Sequence, residues 1–289
     1  MQAIYQVFEI SRQAVHQSST RQRRQVHTAD KLILQAQSVR KNHPRMGCRK
    51  LANRIKEESG IGRDKVEALL LSRGFRIKPK INYVRTTYSQ REMYFPNLIQ
   101  GIKLDNKNQV IQTDITYYRV GENHYYITFL LDVYTRRIIG YNVGKTLKAS
   151  ENIKALMVAF RTRQGDKLQG MIHHSDRGSQ YINKEYLELL KSKGIKISMC
   201  YYAWENAYGE RINRTIKEEY LDAKRINNFL QLKQETAKAV RLYNHDRSHN
   251  GLFRKMTPIG FEEYIKDHCT NSLEQMTLYQ PVELLSTNN

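Results

Sequence analysis

Residues 109–144 read QVIQTDITYYRVGENHYYITFLLDVYTRRIIGYNVG, and this stretch predicts the fold. It is rich in Val, Ile, Tyr, Phe and Thr, which are the residue types that favour β-strands. Gly121-Glu122-Asn123 and a tight turn near Thr135-Arg136 interrupt it. Because these connections are short, we expect an antiparallel meander of three strands. The strands are predicted over Gln109–Tyr118, Tyr125–Tyr134 and Arg137–Gly144.

Helices and strands alternate after this meander, as the spacing of apolar residues indicates. The predicted elements are a helix over Ser150–Thr162, a strand over Gly170–His174, a helix over Lys184–Lys193, a strand over Ile195–Met199 and a long helix over Asn206–Asp222. Strands that alternate with helices join a sheet in parallel, and helices then cover both of its faces. We therefore predict an α/β core over residues 109–222, in which parallel strands extend three antiparallel ones.

Residues 223–289 are predicted as a helical and basic region that ends in a tail. A helix is expected near Phe229–Tyr243. A shorter helix is expected from Thr257-Pro258 through Tyr264, because threonine caps helices and proline favours their first position. Residues 271–289 lack apolar periodicity and are predicted to be a weakly ordered tail.

Two groups of short helices are predicted before the core. Residues 1–40 suggest helices at Ala3–Glu9 and, after a Ser11 cap, at Arg12–Gln17, which makes a helix-turn-helix one interpretation. Residues 41–75 give a clearer pair, Met46–Glu58 and Arg63–Ser72, joined by a glycine-containing turn. An ordinary helical hairpin is the alternative for the second pair. The basic residues around it favour DNA binding: they are Arg45, Arg49, Lys50, Arg63 and Lys65. Residues 76–108 mix basic and aromatic residues and are predicted to be a linker, either a plain tether or a segment along a phosphate backbone.

Charge is the strongest compositional signal in the 289 residues. Lys and Arg number 48 against 28 Asp and Glu, a net charge of +20 with a pI of about 9.8. Residues 1–100 hold 20 Lys and Arg against 7 Asp and Glu, so most of the excess lies in the first third. A polyanion such as DNA is the expected partner. No apolar stretch approaches the roughly 18 residues of a membrane span, and the first residues lack the apolar region of a signal peptide, so we expect a cytoplasmic protein.

Three carboxylates lie at positions in the predicted core where an acidic side chain is unusual unless it is paired or binds a metal. Asp114 lies within the first predicted strand, Asp176 ends a short strand, and Glu210 opens the last helix of the core. A buried charge costs several kcal/mol unless it is paired or binds a metal. Oxygen-only ligands suit Mg²⁺ or Mn²⁺ rather than zinc. The three cysteines lie far apart and form no zinc motif with the histidines.

The helix that carries Glu210 has two different faces. Its apolar stripe holds Tyr208, Ile212, Ile216 and Tyr220. Glu210, Arg214 and Lys217 fall within about 60° of one another on the other side. One face is thus expected to dock on the sheet while the other presents an acid and two cations. A solvated face with an i,i+4 Glu–Arg pair is the alternative.

Several motifs resemble those of the integrase-like transposases of small bacterial insertion sequences, relatives of the retroviral integrases. The core motifs are QTDITYY (112–118), HHSDRGSQY (173–181) and NAYGERINRTIKEEYL (206–221). Two more flank them, HPRMGCRKLANRI (43–55) and YNHDRSHNGLFRKMTPIGF (243–261), so the resemblance covers about residues 40–265. It implies a ribonuclease-H-like fold behind N-terminal helix-turn-helix domains.

The resemblance also implies a site and a reaction. Asp114, Asp176 and Glu210 match the catalytic Asp-Asp-Glu set of the family, which holds two Mg²⁺ or Mn²⁺ ions and cuts and joins DNA strands. Lys217 matches the basic residue two turns after the glutamate and, with Arg214, is expected to hold a phosphate. Arg247 and His249 belong to the C-terminal basic motif and are expected to contact DNA. The implied partners are the terminal inverted repeats of the element, target DNA and at least one further copy of the chain, and the implied pathway is copy-out, paste-in.

This sequence departs from the family pattern in two ways. Thirty-three residues separate Asp176 from Glu210, whereas the family usually has thirty-five, and the shortening lies in the loop 200–207. Glu205 is therefore a rival for the third ligand, although it matches a family acid five positions upstream. The zinc-binding His/Cys domain of the retroviral relatives has no counterpart here.

Other interpretations stay open. The chain is alternatively an inactive DNA-binding regulator derived from a transposase, or a two-metal nuclease that does not join strands. Asp132 is either a fourth acid near the site or, as we expect, a structural residue at a strand end. His173 and His174 either pack or touch DNA or water, and Trp204 either wedges against a base or belongs to a packed loop.

Overall fold

The computed structural model describes residues 11–56, 60–77, 95–268 and 275–279. These residues form two compact units, one within residues 1–81 and the other within residues 82–289. None of the helices in the described ranges has the length and apolar character needed to cross a membrane.

The described part of the first unit begins with one long helix, α1 (Arg12–Asn42). The side chain of Ser11 caps it by accepting a hydrogen bond from the N–H of Ala14 at 3.0 Å, as predicted. The predicted end at Gln17 is wrong, because no glycine or proline interrupts the chain before His43-Pro44. The predicted helix Ala3–Glu9 lies outside the described residues.

The predicted helix pair follows as α2 (Cys48–Ile55) and α3 (Arg63–Ser72). The residue before α2, Gly47, has extended backbone angles, so the helix starts two residues later than expected. The unit has its own small core, in which α1, α2 and α3 bury their apolar faces together. Its fully buried members are Ala36, Leu51, Ala52, Val66 and Leu70.

The second unit contains a mixed five-stranded sheet. Its strands are β2 (Val110–Val120), β3 (Asn123–Asp132), β4 (Ile138–Gly144), β5 (Ile172–Ser175) and β6 (Lys196–Met199), after a two-residue strand β1 (Lys103–Leu104). The order across the sheet is β4-β3-β2-β5-β6. β2, β3 and β4 pair antiparallel, whereas β5 and β6 run parallel to β2. The meander and its parallel extension are thus confirmed, with strand ends shifted by one or two residues.

Helices cover both faces of this sheet, as predicted. They are α4 (Ala149–Thr162), α5 (Lys184–Ser192), α6 (Ala207–Thr215), α7 (Phe229–His245) and α8 (Pro258–Asp267). Successive residues of β3 point to opposite faces: Leu130 packs with α4 and α5, whereas Phe129 and Leu131 pack with α6 and α7. The predicted single helix to Asp222 is in fact α6 followed by a π-helical turn over Ile216–Tyr220 and a 3₁₀ turn over Leu221–Ala223.

Two segments that the sequence predicts as linker and tail pack on the core instead. Ile99 and Leu104 are fully buried, and Leu278 is 1% exposed. Residues Met276–Thr277 form β7, which pairs antiparallel with β1. Both segments are short and carry single apolar side chains rather than a periodic pattern, so only their tertiary partners order them. The rest of the predicted linker and tail, residues 78–94, 271–274 and 280–289, lies outside the described residues.

A buried ion-pair network fastens α8 to the sheet. Arg163 donates to Glu262 at 2.6 and 2.9 Å and to Asp132 at 3.2 Å, and Arg137 also pairs with Glu262. Asp132 accepts from the N–H groups of Asn108 and Thr135 as well. The structural role predicted for Asp132 is therefore confirmed.

Candidate active site

The sheet topology brings the three predicted acids onto adjoining elements. Gln112 of β2 pairs with His174 of the parallel strand β5. Asp114 lies two residues after Gln112 on β2, and Asp176 lies two residues after His174, just past the end of β5. These carboxylates therefore stand side by side at one end of the strand pair. Glu210 lies in the first turn of α6, the helix that packs across β2.

A buried amide joins α6 to β2. Gln112 is fully buried, and its Oε1 accepts hydrogen bonds from the N–H groups of Tyr208 and Gly209 at 3.1 and 3.2 Å. N–H groups in the first turn of a helix have no partner within the helix, so the side chain of Gln112 caps α6 from the strand. Its Nε2 donates to the carbonyl oxygen of Glu205 at 2.9 Å. Gln112 thus fixes the start of the helix that carries Glu210.

Polar contacts continue along the same two elements. The Nδ2 group of Asn213 donates to Oδ2 of Asp114 at 2.8 Å, and Nζ of Lys217 lies 3.3 Å from Oγ1 of Thr116. Alternate strand residues lie about 6.7 Å apart on one face, and four helical residues rise about 6 Å. These two distances are nearly equal. Asp114 and Thr116, two residues apart on β2, therefore meet Asn213 and Lys217, which are four residues apart. The roles of Gln112 and Asn213 were not identified from the sequence. The available clue was Gln112 itself, a polar residue two places before Asp114 on a strand expected to be buried.

Gly209 allows α6 to lie close to β2. A Cβ atom at this position would stand 3.1 Å from Cβ of Asp114 and 3.0 Å from Oδ1 of Asn206. Such contacts are tighter than ordinary van der Waals packing. The absence of a side chain at residue 209 therefore brings Glu210, the next residue, near the strand that carries Asp114.

The pKa values of all three carboxylates are raised. Burial raises the pKa of Asp114 to about 8, with further contributions from the charges of Asp176 and Glu210, against hydrogen bonds from Ile115 and Asn213. Burial also raises the pKa of Asp176, against a hydrogen bond from the N–H of Gly178 at 3.1 Å. The pKa of Glu210 rises through partial desolvation and the charge of Asp176, against the charge of Arg214. Burial and crowding thus disfavour the ionised carboxylates at this end of the sheet until positive charge reaches them.

The donor chemistry fits a hard divalent cation. Within the described ranges, no group of three His, Cys, Asp or Glu side chains has the geometry of a formed metal site. The acids nevertheless come from three adjoining elements and repel one another, and Oδ1 of Asn213 is buried beside Asp114 without a hydrogen-bond partner among the described residues. All of these donors are oxygens, which suits Mg²⁺ or Mn²⁺.

Glu205 has a different role from Glu210. It is 2% exposed, and its Oε2 accepts hydrogen bonds from the N–H groups of Tyr201 and Tyr202 at 2.6 and 2.9 Å. Glu210 is exposed at the start of α6. The carboxylate of Glu205 therefore shapes the loop before α6, whereas that of Glu210 faces solvent beside the aspartates.

The two histidines before Asp176 are packed. His173 contacts the hydroxyl of Tyr186 through Nε2, and His174 contacts Oγ of Ser198 through Nδ1, each at 2.8 Å. Burial lowers the pKa of His173 to about 4 and that of His174 to about 3, so both are neutral. Of the two interpretations left open, packing is the one that the structure supports.

The residues predicted to contact DNA are found in both units. Arg49 pairs with Glu67 and Arg63 with Asp64 at the surface of the first unit, which also carries Arg45, Lys50 and the exposed Lys65. Arg214 is exposed on α6.

Arg247 differs from this set. It is 7% exposed, forms two hydrogen bonds with Glu219 at 2.7 and 2.8 Å, and touches His249. Arg247 thus forms a buried ion pair with Glu219 in this structure, and its predicted DNA contact stays a prediction.

Comparisons with known proteins place this arrangement in context. Two family models, each described as an integrase core domain, match residues 105–202 and 193–258. The 31 kDa protein of insertion element IS600 from Shigella sonnei is 32% identical over 274 residues, which cover 89% of this chain and 97% of that protein. The transposase for insertion sequence element IS629 from the same organism is 27% identical over 210 residues, covering 71% of this chain and 70% of that protein. Among solved structures, the HTLV-2 integrase catalytic core domain in complex with magnesium matches with 22% sequence identity and a TM-score of 0.44. The match covers 54% of this chain and 97% of that domain.

Proposed function

Because this chain belongs to the integrase-core family of insertion-sequence transposases, we propose that it binds the ends of an insertion sequence and then cuts and joins DNA strands. The observation that carries the proposal is the meeting of Asp114, Asp176 and Glu210 from three adjoining elements. Their raised pKa values indicate a site built to receive positive charge.

The proposed ligands of two divalent ions are Asp114, Asp176 and Glu210. When bound, such ions activate an attacking hydroxyl and stabilise the leaving oxygen of a phosphodiester. The chain itself positions the reactants: Asn213 orients Asp114, and Gln112 and Gly209 set the helix that carries Glu210. In-line phosphoryl transfer depends mainly on such positioning and on charge neutralisation, so no nucleophilic side chain is required.

Glu210 rather than Glu205 is the proposed third ligand. The carboxylate of Glu205 is buried and holds two backbone N–H groups. Glu210 is exposed and interacts electrostatically with both aspartates. The shorter loop before α6 therefore does not change the proposed role of Glu210, the acid at the start of the helix.

The cationic residues are proposed to hold DNA. Arg214 lies on α6 with Glu210, and Lys217 lies in the π-helical turn that follows it; both are proposed to hold the phosphate next to the cut. The first unit, through its basic residues Arg45, Arg49, Lys50, Arg63 and Lys65, is proposed to bind the element ends. His249 remains a proposed contact of the C-terminal segment. Assembly of at least a dimer on paired ends is part of the proposal, as is the copy-out, paste-in pathway.

The test is strand cleavage and joining with purified variants in the presence of Mg²⁺. Asp114→Asn, Asp176→Asn and Glu210→Gln should each lower cleavage by about a hundredfold or more while DNA affinity stays near that of the wild type. Glu188→Gln is a matched control, because Glu188 is an exposed acid on α5. Full strand transfer by any of the three acid variants would exclude the assignment.

The same assay separates the other interpretations. A wild-type chain that binds DNA but never cuts it is an inactive regulator. A chain that cuts without joining is a two-metal nuclease. Only cleavage followed by attack of the new 3′-hydroxyl on a second strand supports the transposase.

A further inference from the structure

An exposed aromatic loop lies between β6 and α6. We use this name for residues 201–206, which read YYAWEN. Tyr201, Tyr202 and Trp204 are 47%, 63% and 51% exposed. The rings of Tyr202 and Trp204 stack on each other with 9° between their planes and 5.8 Å between their centroids. Clustered exposed aromatic side chains are typical of a binding surface, which favours a role in binding for this loop.

The backbone beneath these rings is held firmly. Both N–H groups at the start of the loop donate to Glu205, and the carbonyl of Glu205 accepts from Gln112. The ring of Tyr279 packs edge-on against Trp204 with the centroids 5.7 Å apart. The rings are thus preorganised outside the core, which reduces the entropy lost when a ligand stacks on them.

The aromatic loop starts beside the candidate active site. The N–H of Cys200 donates to the carbonyl of Ser175, the residue before Asp176, at 3.0 Å. Arg177 donates through Nε to the carbonyl of Cys200 at 3.0 Å, and its guanidinium lies 5.8 Å from the ring of Tyr201. The loop then leads into α6 and Glu210. The exposed rings therefore lie on the segment that joins two of the three acids, next to an arginine.

We propose that the stacked Tyr202–Trp204 pair binds an unpaired nucleobase of the DNA strand whose phosphodiester lies at the acids, an inference that rests on the proposed function. Every base has a planar π-face, so stacking needs no particular sequence. A base stacked here would be drawn out of its helix and would hold the adjoining phosphate near Asp176. Arginine beside the rings favours a polyanion over an apolar protein surface.

The chain provides its own probe, because Trp204 is its only tryptophan. The DNA probes are a blunt duplex and the same duplex with a short unpaired overhang. Overhang DNA should quench the fluorescence of Trp204 and bind about tenfold more tightly than blunt DNA of equal charge. Tyr202→Ala and Trp204→Ala should remove this preference, whereas Trp204→Phe should keep it. Phe253→Ala is the matched control, because Phe253 is an exposed aromatic residue outside the loop.

Several results would overturn the inference. Equal affinity of the wild type for the two probes would do so, as would unchanged fluorescence at saturation or an overhang preference that survives Trp204→Ala. A change in self-association without a change in DNA preference would show that the rings bind protein instead. Asp114→Asn separates this inference from the proposed function, since it should abolish cleavage yet keep the overhang preference. A wild type that prefers overhangs but never cleaves would refute the enzyme and leave the base site standing.

Discussion

A single amide side chain, Asn213, controls how the carboxylate of Asp114 is presented. Its N–H group contacts Oδ2 at 2.8 Å, while Oδ1 of Asp114 accepts from the N–H of Ile115 at 3.0 Å. A donated hydrogen bond favours the ionised form of a carboxyl, so Asn213 opposes the rise in pKa that burial causes. The ionised form is the one that binds a cation.

Replacing Asn213 should raise the Mg²⁺ requirement of cleavage more than it lowers the stability of the fold. We expect Asn213→Ala to raise the Mg²⁺ concentration for half-maximal DNA cleavage about tenfold, because loss of a hydrogen bond to the carboxylate favours the protonated form of Asp114, which does not bind the ion. The measurement is cleavage rate against Mg²⁺ concentration. Asn227→Ala, at an exposed asparagine, is the control. An unchanged Mg²⁺ requirement in Asn213→Ala would show that Asn213 has no positioning role.

The helix α4 lies close to β4 where the two elements cross at Gly140. A Cβ atom on Gly140 would lie 2.8 Å from Cβ of Ala159 and would also collide with the carbonyl oxygen of Ala155. Glycine at this position and alanines on the helix let the two backbones approach.

Gly140→Ala should therefore force α4 away from the sheet. We expect a loss of about 2 kcal/mol in the free energy of unfolding, which is typical of overpacking in a core. Urea denaturation gives the value. Gly251→Ala is the control, because no atom lies within 4 Å of the position of its added Cβ. Equal stability of the two variants would contradict the close packing of α4 on β4.

The helix α8 depends on the charge of Glu262. Burial would raise the pKa of this carboxyl, but the hydrogen bonds and charges of Arg163 and Arg137 outweigh burial and hold it below the ordinary value of 4.5. A lowered folded-state pKa means that the ionised group stabilises the fold above pH 4.5 and loses this effect as the pH falls through the folded-state value.

Glu262→Gln should lower the free energy of unfolding by about 2–3 kcal/mol near neutral pH. The loss stays below that of a wholly unpaired buried charge, because Asp132 still contacts Arg163. The difference from the wild type should shrink when unfolding is measured below pH 4.5. Glu263→Gln, at the exposed neighbouring residue, should change little. A difference that grows on acidification would refute the ion-pair account.

The molecule as a whole is strongly cationic, with a net charge of +20. Most of this excess lies in residues 1–100, which include the basic residues of α2 and α3. Each phosphate contact made by a lysine releases counterions, so it appears in the salt dependence of DNA affinity.

The double variant Lys50→Ala, Lys65→Ala tests the proposed DNA contacts of the first unit. We expect weaker DNA binding at low salt and a slope of log affinity against log salt that is smaller by roughly two. Affinity measured over a range of NaCl concentrations gives the slope. Lys191→Ala removes an exposed charge from α5 and should leave the slope nearly unchanged. If both proteins have the same slope, these lysines do not contact phosphate.

Local pattern determined the elements of the core and the order in which they occur. β-Favouring residues and short turns in residues 109–144 predicted the meander, and helical spacing predicted α3, α4, α5 and α7 within a few residues, whereas α6 ends seven residues earlier than expected. Where no local pattern existed, prediction failed: β1 and β7 are ordered only by each other and by the core. The length of α1 was missed because its polar sequence lacks apolar period, although nothing in it breaks a helix.

The sequence by itself determined which acids are available, because their motifs are local and specific: Asp114 on a strand, Asp176 at a strand end and Glu210 at a helix start. Only the tertiary structure decided how they are supported. Gln112, Gly209 and Asn213 act on residues about a hundred positions away along the chain, and Arg247 turned out to be paired with Glu219. The physical reason is that periodicity and motifs record neighbours along the chain, whereas hydrogen bonds, burial and repulsion between charges depend on neighbours in space.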